Sequence, residues 1–309
     1  MVFEGSEKKI EIVVSDSTGD LRLLGRKYWE KIVSKCNAEI ISEIKNDEMI
    51  AYLLSESSLF VWKNSILMIT CGKTSLVNSL LEFVKDFGVL NIENVLFQRK
   101  NEYYSHLQVS NFYDDLDLLK ELLPGSAWRL GELDGHHNFI FYYEQTTAKF
   151  ENDKTLELLM YNLEEEVGET LRSENLNIKN IRDILGLDSI FYDYQIDDFL
   201  FSPCGYSVNG IKDDSYFTIH LTPEKDGSYV SFETNDERLG HDELVSHFIK
   251  KLRPKSFDTI CFNLSQLKAL DGQTVINKCD HEISNKLSVS FAQHINNPVA
   301  KTSASYQLF

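Results

Sequence analysis

Paired cysteines are the first thing this chain lacks. Its five cysteines, Cys36, Cys71, Cys204, Cys261 and Cys279, are odd in number, widely spaced and without a C-x-x-C pair. That excludes a disulfide framework and a cysteine zinc site. Basic charge is also scarce: 31 lysines and arginines stand against 48 acidic residues, for a net charge of −17. Such a surface repels phosphates, so no nucleic acid and no anionic membrane is expected as a partner, whereas a cationic ligand suits it. No apolar run is long enough to span a bilayer; the stretch 59–71 is broken by Lys63 and Asn64. The chain reaches Glu4 and Glu7 at once rather than opening on a basic-then-apolar leader, so a reducing, cytoplasmic setting is expected. His136 and His137 are adjacent and would alternate faces if extended; they read as loop or surface, and no metal site is expected. Gly72-Lys73-Thr74 imitates the end of a phosphate-binding loop, but the upstream glycine would fall at Leu67, which excludes a nucleoside triphosphate site.

What is present is enough for a packed interior: 309 residues, 42% of them hydrophobic. β-Branched and apolar stretches predict strands over 9–15, 39–44, 49–54, 65–70 and 91–98. Apolar residues at helical spacing predict helices over 29–36, 75–87 and 115–123, with Cys36 on a buried face. The segments 128–133 and 138–143 form a predicted hairpin around Asp134-Gly135. A second round follows: strands at 153–160, 216–221, 229–234 and 257–262, with helices at 181–187 and 242–252. Strands, a helix and a returning strand thus occur twice, which suggests an internal duplication. Beyond Asn263 the periodicity fades, and 263–309 is expected to be an irregular tail. The pattern predicts an α+β fold of antiparallel sheets with helices covering one face of each.

The stretch 52–61 sets Glu56, Ser57 and Ser58 between apolar flanks. Alone it reads as a polar break in a strand or a turn. A serine aimed back at its own preceding carbonyl can also attack it, turning the peptide into an ester. If a base then removes the serine alpha hydrogen, the ester eliminates, and the serine ends as a pyruvoyl group on a new amino terminus. That ketone forms a Schiff base with a substrate amine and serves as an electron sink, so neither pyridoxal phosphate nor a metal is needed.

Blocks around this stretch decide between the two readings. They are Phe3-Glu4-Gly5-Ser6-Glu7-Lys8, Leu54-Ser55-Glu56-Ser57-Ser58-Leu59-Phe60-Val61, Thr70-Cys71-Gly72, Pro203-Cys204-Gly205-Tyr206-Ser207, Thr218-Ile219-His220-Leu221-Thr222-Pro223-Glu224 and Ser228-Tyr229-Val230-Ser231-Phe232-Glu233-Thr234-Asn235. With these blocks, in this order, the chain resembles the eukaryotic-type S-adenosylmethionine decarboxylases. The resemblance implies a four-layer α/β/β/α sandwich over 1–309, and self-cleavage into a small chain 1–56 and a large chain 57–309. It also implies decarboxylation of S-adenosylmethionine, giving the aminopropyl donor for spermidine.

The resemblance assigns roles residue by residue. Ser57 is the nucleophile and source of the pyruvoyl group, Ser207 a donor to the tetrahedral intermediate, and His220 the base. Cys71 returns a proton to the substrate carbon, and Glu4 and Glu7 assist catalysis and processing. Phe3 and Phe201 sandwich the adenine, Glu224 accepts both ribose hydroxyls, and the Glu56 backbone lies at the edge of the site. Glu11, Asp153, Thr155, Glu157 and Glu233 match positions that hold the activator putrescine in some members. The lysine that often stands two residues before the cysteine in activated members is here Ile69, which weakens the expected diamine response. The segment from Ser207 to His220 is one residue shorter than in familiar members, and the turn near Asp213-Asp214-Ser215 is expected to absorb this. Association into a homodimer stays open. So do two other functions: a pyruvoyl decarboxylase of arginine or ornithine, which would need no adenine clamp, and a silent subunit that activates a partner, which would need no catalytic set.

Overall fold

The computed structural model describes residues 7–145, 154–264, 267–268 and 272–296. The first half runs β1 (Lys8–Val14), α1 (Arg26–Ser34), β2 (Ile40–Lys45), β3 (Met49–Leu54), β4 (Ser57–Trp62), β5 (Ser65–Thr70), α2 (Leu76–Phe87), β6 (Ile92–Arg99), α3 (Phe112–Leu122), β7 (Ser126–Gly131) and β8 (His137–Glu144). The second runs β9 (Thr155–Leu163), α4 (Glu165–Leu171), α5 (Ile178–Leu185), α6 (Leu187–Ile190), β10 (Gln195–Leu200), β11 (Tyr206–Lys212), β12 (Ser215–Thr222), β13 (Tyr229–Thr234), α7 (His241–Leu252), β14 (Pro254–Phe262), β15 (Gln273–Glu282) and β16 (Ser288–Asn296). Each half makes one eight-stranded sheet, in the orders β2-β3-β4-β5-β1-β6-β8-β7 and β10-β11-β12-β13-β9-β14-β16-β15. The two orders match position for position, as expected of a duplicated unit.

Alternation along the strands sorts the layers. Ile10, Ile12 and Val14 of β1 pack outward against Trp29 and Ile32 of α1 and Leu80 and Phe83 of α2. Leu156, Leu158 and Met160 of β9 pack outward against Ile181 of α5 and Val245 and Phe248 of α7. The other faces of the two sheets meet. At one end Leu96 and Ile140 join Leu159, Tyr161 and Ile260; at the other Met49, Phe60 and Ile69 join Ile211 and Tyr216. Between these apolar ends lies a belt of buried polar side chains, among them Glu7, Lys9, Ser58, Gln98, Lys100, Glu157, Asn209, Thr218, His220 and Glu233. The result is the four-layer α/β/β/α sandwich, with its polar groups in the middle.

Two expectations need correction. The polar break is a turn at Ser55-Glu56, as read, but 57–62, which is not among the expected strands, is one: β4 is hydrogen-bonded on both sides, to β3 and β5, and five of its six residues are buried, so it shows no alternation to read. The tail beyond Asn263 is not irregular in its described part, since it supplies β15 and β16. β15 is an edge strand with polar, half-exposed residues on both faces, so its pattern carries little apolar signal. β10, also an edge strand, was hidden in the same way by Asp197 and Asp198.

Candidate active site

β3 and β4 are joined by the turn Ser55-Glu56, with Leu54 opposite Ser57. The turn is tied down by Ser55 N–H donating to the Glu39 carbonyl at 2.8 Å and by Glu39 N–H donating to Ser55 Oγ at 3.0 Å. Ser57 then has a φ of 143°, a region that favours glycine and costs other residues ~1–3 kcal/mol. Its side chain is buried, and its Oγ has no hydrogen-bond partner among the described residues. A buried hydroxyl without a partner is itself unfavourable, so the sheet holds Ser57 against both backbone and side-chain preference. The Glu56 carbonyl accepts from Cys71 N–H at 2.9 Å and lies 3.3 Å from Cys71 Sγ. Donors so placed polarise the carbonyl and would hold the charge it gains under attack.

The facing wall comes from β11 and β12. Their turn is only Asp213-Asp214, and Ser207 stands directly across from His220. His220 Nδ1 is 2.9 Å from Ser207 Oγ; its Nε2 is 2.9 Å from Thr218 Oγ1 and 3.2 Å from Ser58 Oγ. Burial pushes the His220 pKa down to about 4, with Glu7 opposing and Lys100 assisting. At neutral pH the imidazole is therefore uncharged and able to act as a base. Burial pushes the Cys71 thiol well above its ordinary value; the Glu56 and Glu7 carboxylates add to this and Lys8 opposes it. Cys71 thus keeps its proton, the form a proton donor requires.

A cavity of about 630 Å³ lies between these walls, lined by Ser57, Cys71, Ser207, His220, Phe201 and Glu224 among others. Its size suits a nucleoside-bearing ligand. Phe201 stands edge-on to Phe199 at 4.9 Å. Arg172 fixes the approach to Glu224 by donating to the Pro223 carbonyl at 2.9 Å. The cavity therefore brings together Glu56, Ser57, Cys71, Ser207, His220, Phe201 and Glu224. Glu7 lies in the polar belt instead, 2.9 Å from Lys100 and accepting from Ser231 Oγ. Phe3 and Glu4 lie outside the described residues. His136 sits in the β7–β8 turn with Nδ1 2.9 Å from buried Asp258. Among the described residues no group of three ligating side chains could hold a metal ion.

A family model described as adenosylmethionine decarboxylase matches residues 1–309. The chain belongs to that family. It is 35% identical over 280 residues to an S-adenosylmethionine decarboxylase proenzyme of Xenopus laevis, covering 84% of this chain and 83% of that one. A proenzyme of the same description from Drosophila melanogaster is 32% identical over 94% of this chain and 88% of its own length. One from Leishmania donovani is 32% identical over 91% of this chain and 76% of its own. The fold is shared with a crystal structure of Trypanosoma brucei AdoMetDC-delta26 monomer, at a TM-score of 0.61 and 22% identity, covering 77% of this chain and 98% of that one. Among the described residues no helix is long and apolar enough to cross a membrane.

The belt beside the cavity holds Glu11, Glu157 and Glu233, but it also holds lysines. Lys9 Nζ lies 2.7 Å from Glu11, 2.9 Å from Glu157 and 2.8 Å from Glu233. Lys100 Nζ lies 2.9 Å from Glu7, 3.3 Å from Glu157 and 3.7 Å from Glu233. Burial alone would lower the pKa of both lysines; the surrounding carboxylates more than reverse it and raise both. Lys9 is the direct cross-strand neighbour of Ile69. A cavity beside Thr155 and Glu11 holds about 30 Å³. Asp153 lies outside the described residues.

Several of these partners were given no role by the sequence. Ser58 and Thr218 lie inside the blocks and Asn209 outside them, and all three read as ordinary strand residues until the second sheet stands opposite. Lys9 could have been found: in Lys9-Ile10-Glu11-Ile12 it shares a face with Glu11, and a strand apolar on one side and buried on the other must pair its charges.

Proposed function

We propose that this chain is the precursor of a pyruvoyl-dependent S-adenosylmethionine decarboxylase that cuts itself between Glu56 and Ser57. The reading rests above all on Ser57, a buried residue at a strained φ with an unbonded hydroxyl, next to a carbonyl already held by Cys71. Ser57 Oγ attacks the Glu56 carbonyl carbon; the C–O ester forms, the C–N bond breaks, and the Ser57 nitrogen takes the proton. His220 removes the Ser57 Cα hydrogen, the Cβ–Oγ bond breaks, and Glu56 departs as a carboxylate. The dehydroalanine at position 57 tautomerises and gives up ammonia to water, leaving a pyruvoyl-capped chain 57–309 beside chain 1–56.

The pyruvoyl group supplies a ketone for the substrate amine and an electron sink for decarboxylation. Cys71 delivers its proton to the substrate carbon that has lost carbon dioxide. Phe201, with Phe3, grips the adenine, and Glu224 takes the ribose hydroxyls. Glu4 and Glu7 assist catalysis and processing. Five free thiols suit a reducing, cytoplasmic setting.

We read the charge of the acidic belt as balanced by its own lysines rather than by putrescine. Lys9 brings to Glu11, Glu157 and Glu233 the charge that Ile69, its neighbour across the strands, does not. The 30 Å³ beside Thr155 is room for about one water, not for a diamine. Putrescine should therefore change the rate little.

The test offers carboxyl-labelled S-adenosylmethionine, arginine and ornithine in parallel, with the chains resolved by mass. Label should leave S-adenosylmethionine only, from a protein present as two chains split after Glu56. Preferential release from arginine or ornithine, or turnover by an uncut chain, would overturn the reading.

A further inference from the structure

Beneath Ser57 lies a closed set of side chains of which the reaction above uses only His220. Ser58, Asn209, Thr218 and His220 are all buried and come from both sheets. Their hydrogen bonds can be assigned proton by proton. The Tyr52 carbonyl can only accept, so the Asn209 amide turns its Nδ2 toward it, at 3.1 Å. That leaves Asn209 Oδ1, a pure acceptor, facing two hydroxyls: Ser58 Oγ at 2.6 Å and Thr218 Oγ1 at 3.0 Å. The Val208 carbonyl, 3.1 Å from Thr218 Oγ1, is a further pure acceptor. Ser58 and Thr218 each have one proton, and both protons are drawn away from His220.

What His220 Nε2 meets is therefore oxygen lone pairs, at 2.9 Å on Thr218 and 3.2 Å on Ser58. Two lone pairs repel unless a proton stands between them, so Nε2 must supply it. Nδ1 is then bare, and Ser207 Oγ donates to it at 2.9 Å. With the opposite tautomer, Ser58 or Thr218 would have to give up a carbonyl acceptor to donate to Nε2, and the Ser207 proton would have no acceptor among the described residues.

We propose that Asn209, acting through Thr218 and Ser58, sets the tautomer of His220, so that Nδ1 is the basic nitrogen of the processing reaction. Asn209 is a positioning residue: it touches neither the Glu56–Ser57 peptide nor the substrate cavity. The arrangement explains how one imidazole serves two stages. Ser207 covers the Nδ1 lone pair in the resting chain. When charge builds on the Glu56 oxygen, the Ser207 hydroxyl turns to that oxygen and uncovers Nδ1 for the Ser57 Cα hydrogen. The proposal rests on His220 being the base, so its test must also work without any cleavage.

Full-length chain carrying ¹⁵N-labelled histidine is observed by NMR, both as wild type and as the uncleavable Ser57→Ala form, with the His220 resonance identified by its loss in His220→Ala. The expected spectrum has a proton bonded to Nε2 and none on Nδ1. A proton on Nδ1 overturns the proposal whatever the enzyme's activity. Asn209→Leu keeps the bulk but removes the shared acceptor, freeing the Ser58 hydroxyl to donate to Nε2 while Thr218 keeps only the Val208 carbonyl. The His220 proton should move to Nδ1, and cleavage should slow by ~10²–10⁴-fold, with hydroxylamine-sensitive ester accumulating. Thr218→Val removes the nearer oxygen facing Nε2 but leaves Ser58 bonded to Asn209, so it should shift the proton to Nδ1 only in part, whereas Thr218→Ser should keep the Nε2 proton. Wild-type cleavage rates in Asn209→Leu would overturn the role given to Asn209. If Asn209→Leu does not fold, the wild-type spectrum and the Thr218 pair still decide. Failure of the pyruvoyl reading looks different: no ester in any variant, with the tautomer assignment intact.

Discussion

Two hairpins occupy the same place in the two sheets and behave differently. β3–β4 and β11–β12 hold equivalent positions in strand order, and each turns through two residues. The β11–β12 tip is exposed, and its strain is ordinary: Asp213 has a φ of 53°, which aspartate tolerates in turns. At the β3–β4 tip the unusual backbone falls on Ser57, buried, at 143°. Fold topology alone therefore does not demand a strained hairpin, since its twin forms without one. The strain is local to the peptide that is to break. The other hairpin supplies the groups that act on it, Ser207 and His220, placed at the end away from its own turn.

The sharpest way to break this division of labour is to remove one actor from each sheet. His220→Ala should leave the chain uncut or stalled as an ester that hydroxylamine cleaves, with elimination slowed by ~10²–10⁴-fold. Cys71→Ala keeps the backbone N–H on the Glu56 carbonyl, so it should still cut to a substantial extent. Its turnover should nonetheless fall by a comparable factor and decline within few cycles, as the proton goes to the wrong carbon. Gel mobility with and without hydroxylamine, beside single-turnover label release, separates the two. Normal, lasting turnover in Cys71→Ala would make Cys71 a packing residue.

The belt between the sheets gives the next largest effect. Lys9→Met strips Glu157 and Glu233 of a shared partner, and breaking a buried pair from one side costs ~3–5 kcal/mol. Thermal melting should show that loss, and added putrescine should recover part of it in the variant while scarcely moving the wild type. A wild type whose rate rises severalfold with putrescine would refute the internal-cation reading.

pH should separate the sheets more gently. His220 is held near 4 against an ordinary 6.5, so between those values the unfolded chain binds a proton that the folded one refuses. The stabilisation from keeping it neutral is complete above pH 6.5 and disappears as pH falls toward 4, ~3 kcal/mol in all. Precursor cleavage should accordingly stay level through neutral pH and drop only on approach to pH 4. A midpoint near 6.5 would mean that His220 is not the buried base.

The smallest effect belongs to the twin hairpin. Replacing Asp213-Asp214 by Asn-Gly keeps a two-residue turn on an exposed surface, so cleavage should remain within about twofold. A large change, followed by the same chain-separation assay, would show that the two tips are not independent.

Much of this molecule could be read from its residues in order. The blocks around Ser57, Cys71, Ser207 and His220 are contiguous, and the strands and helices with one apolar face announce themselves by period. β4 could not be read so, because pairing on both sides erased its alternation, nor could β15, whose edge position left both faces polar. Within each strand the sequence determined which residues share a face: Lys9 with Glu11, Ser207 with Asn209, Thr218 with His220. Only the tertiary structure decided what each face meets. Ser58 is one residue from Ser57 in the chain, yet its hydroxyl answers to Asn209 on the other sheet, and Lys9 finds Glu157 some 148 residues away. Period is a property of a single strand and survives in the sequence. The partner across a sandwich depends on how two sheets stack, and that is settled by the packing of all their side chains at once.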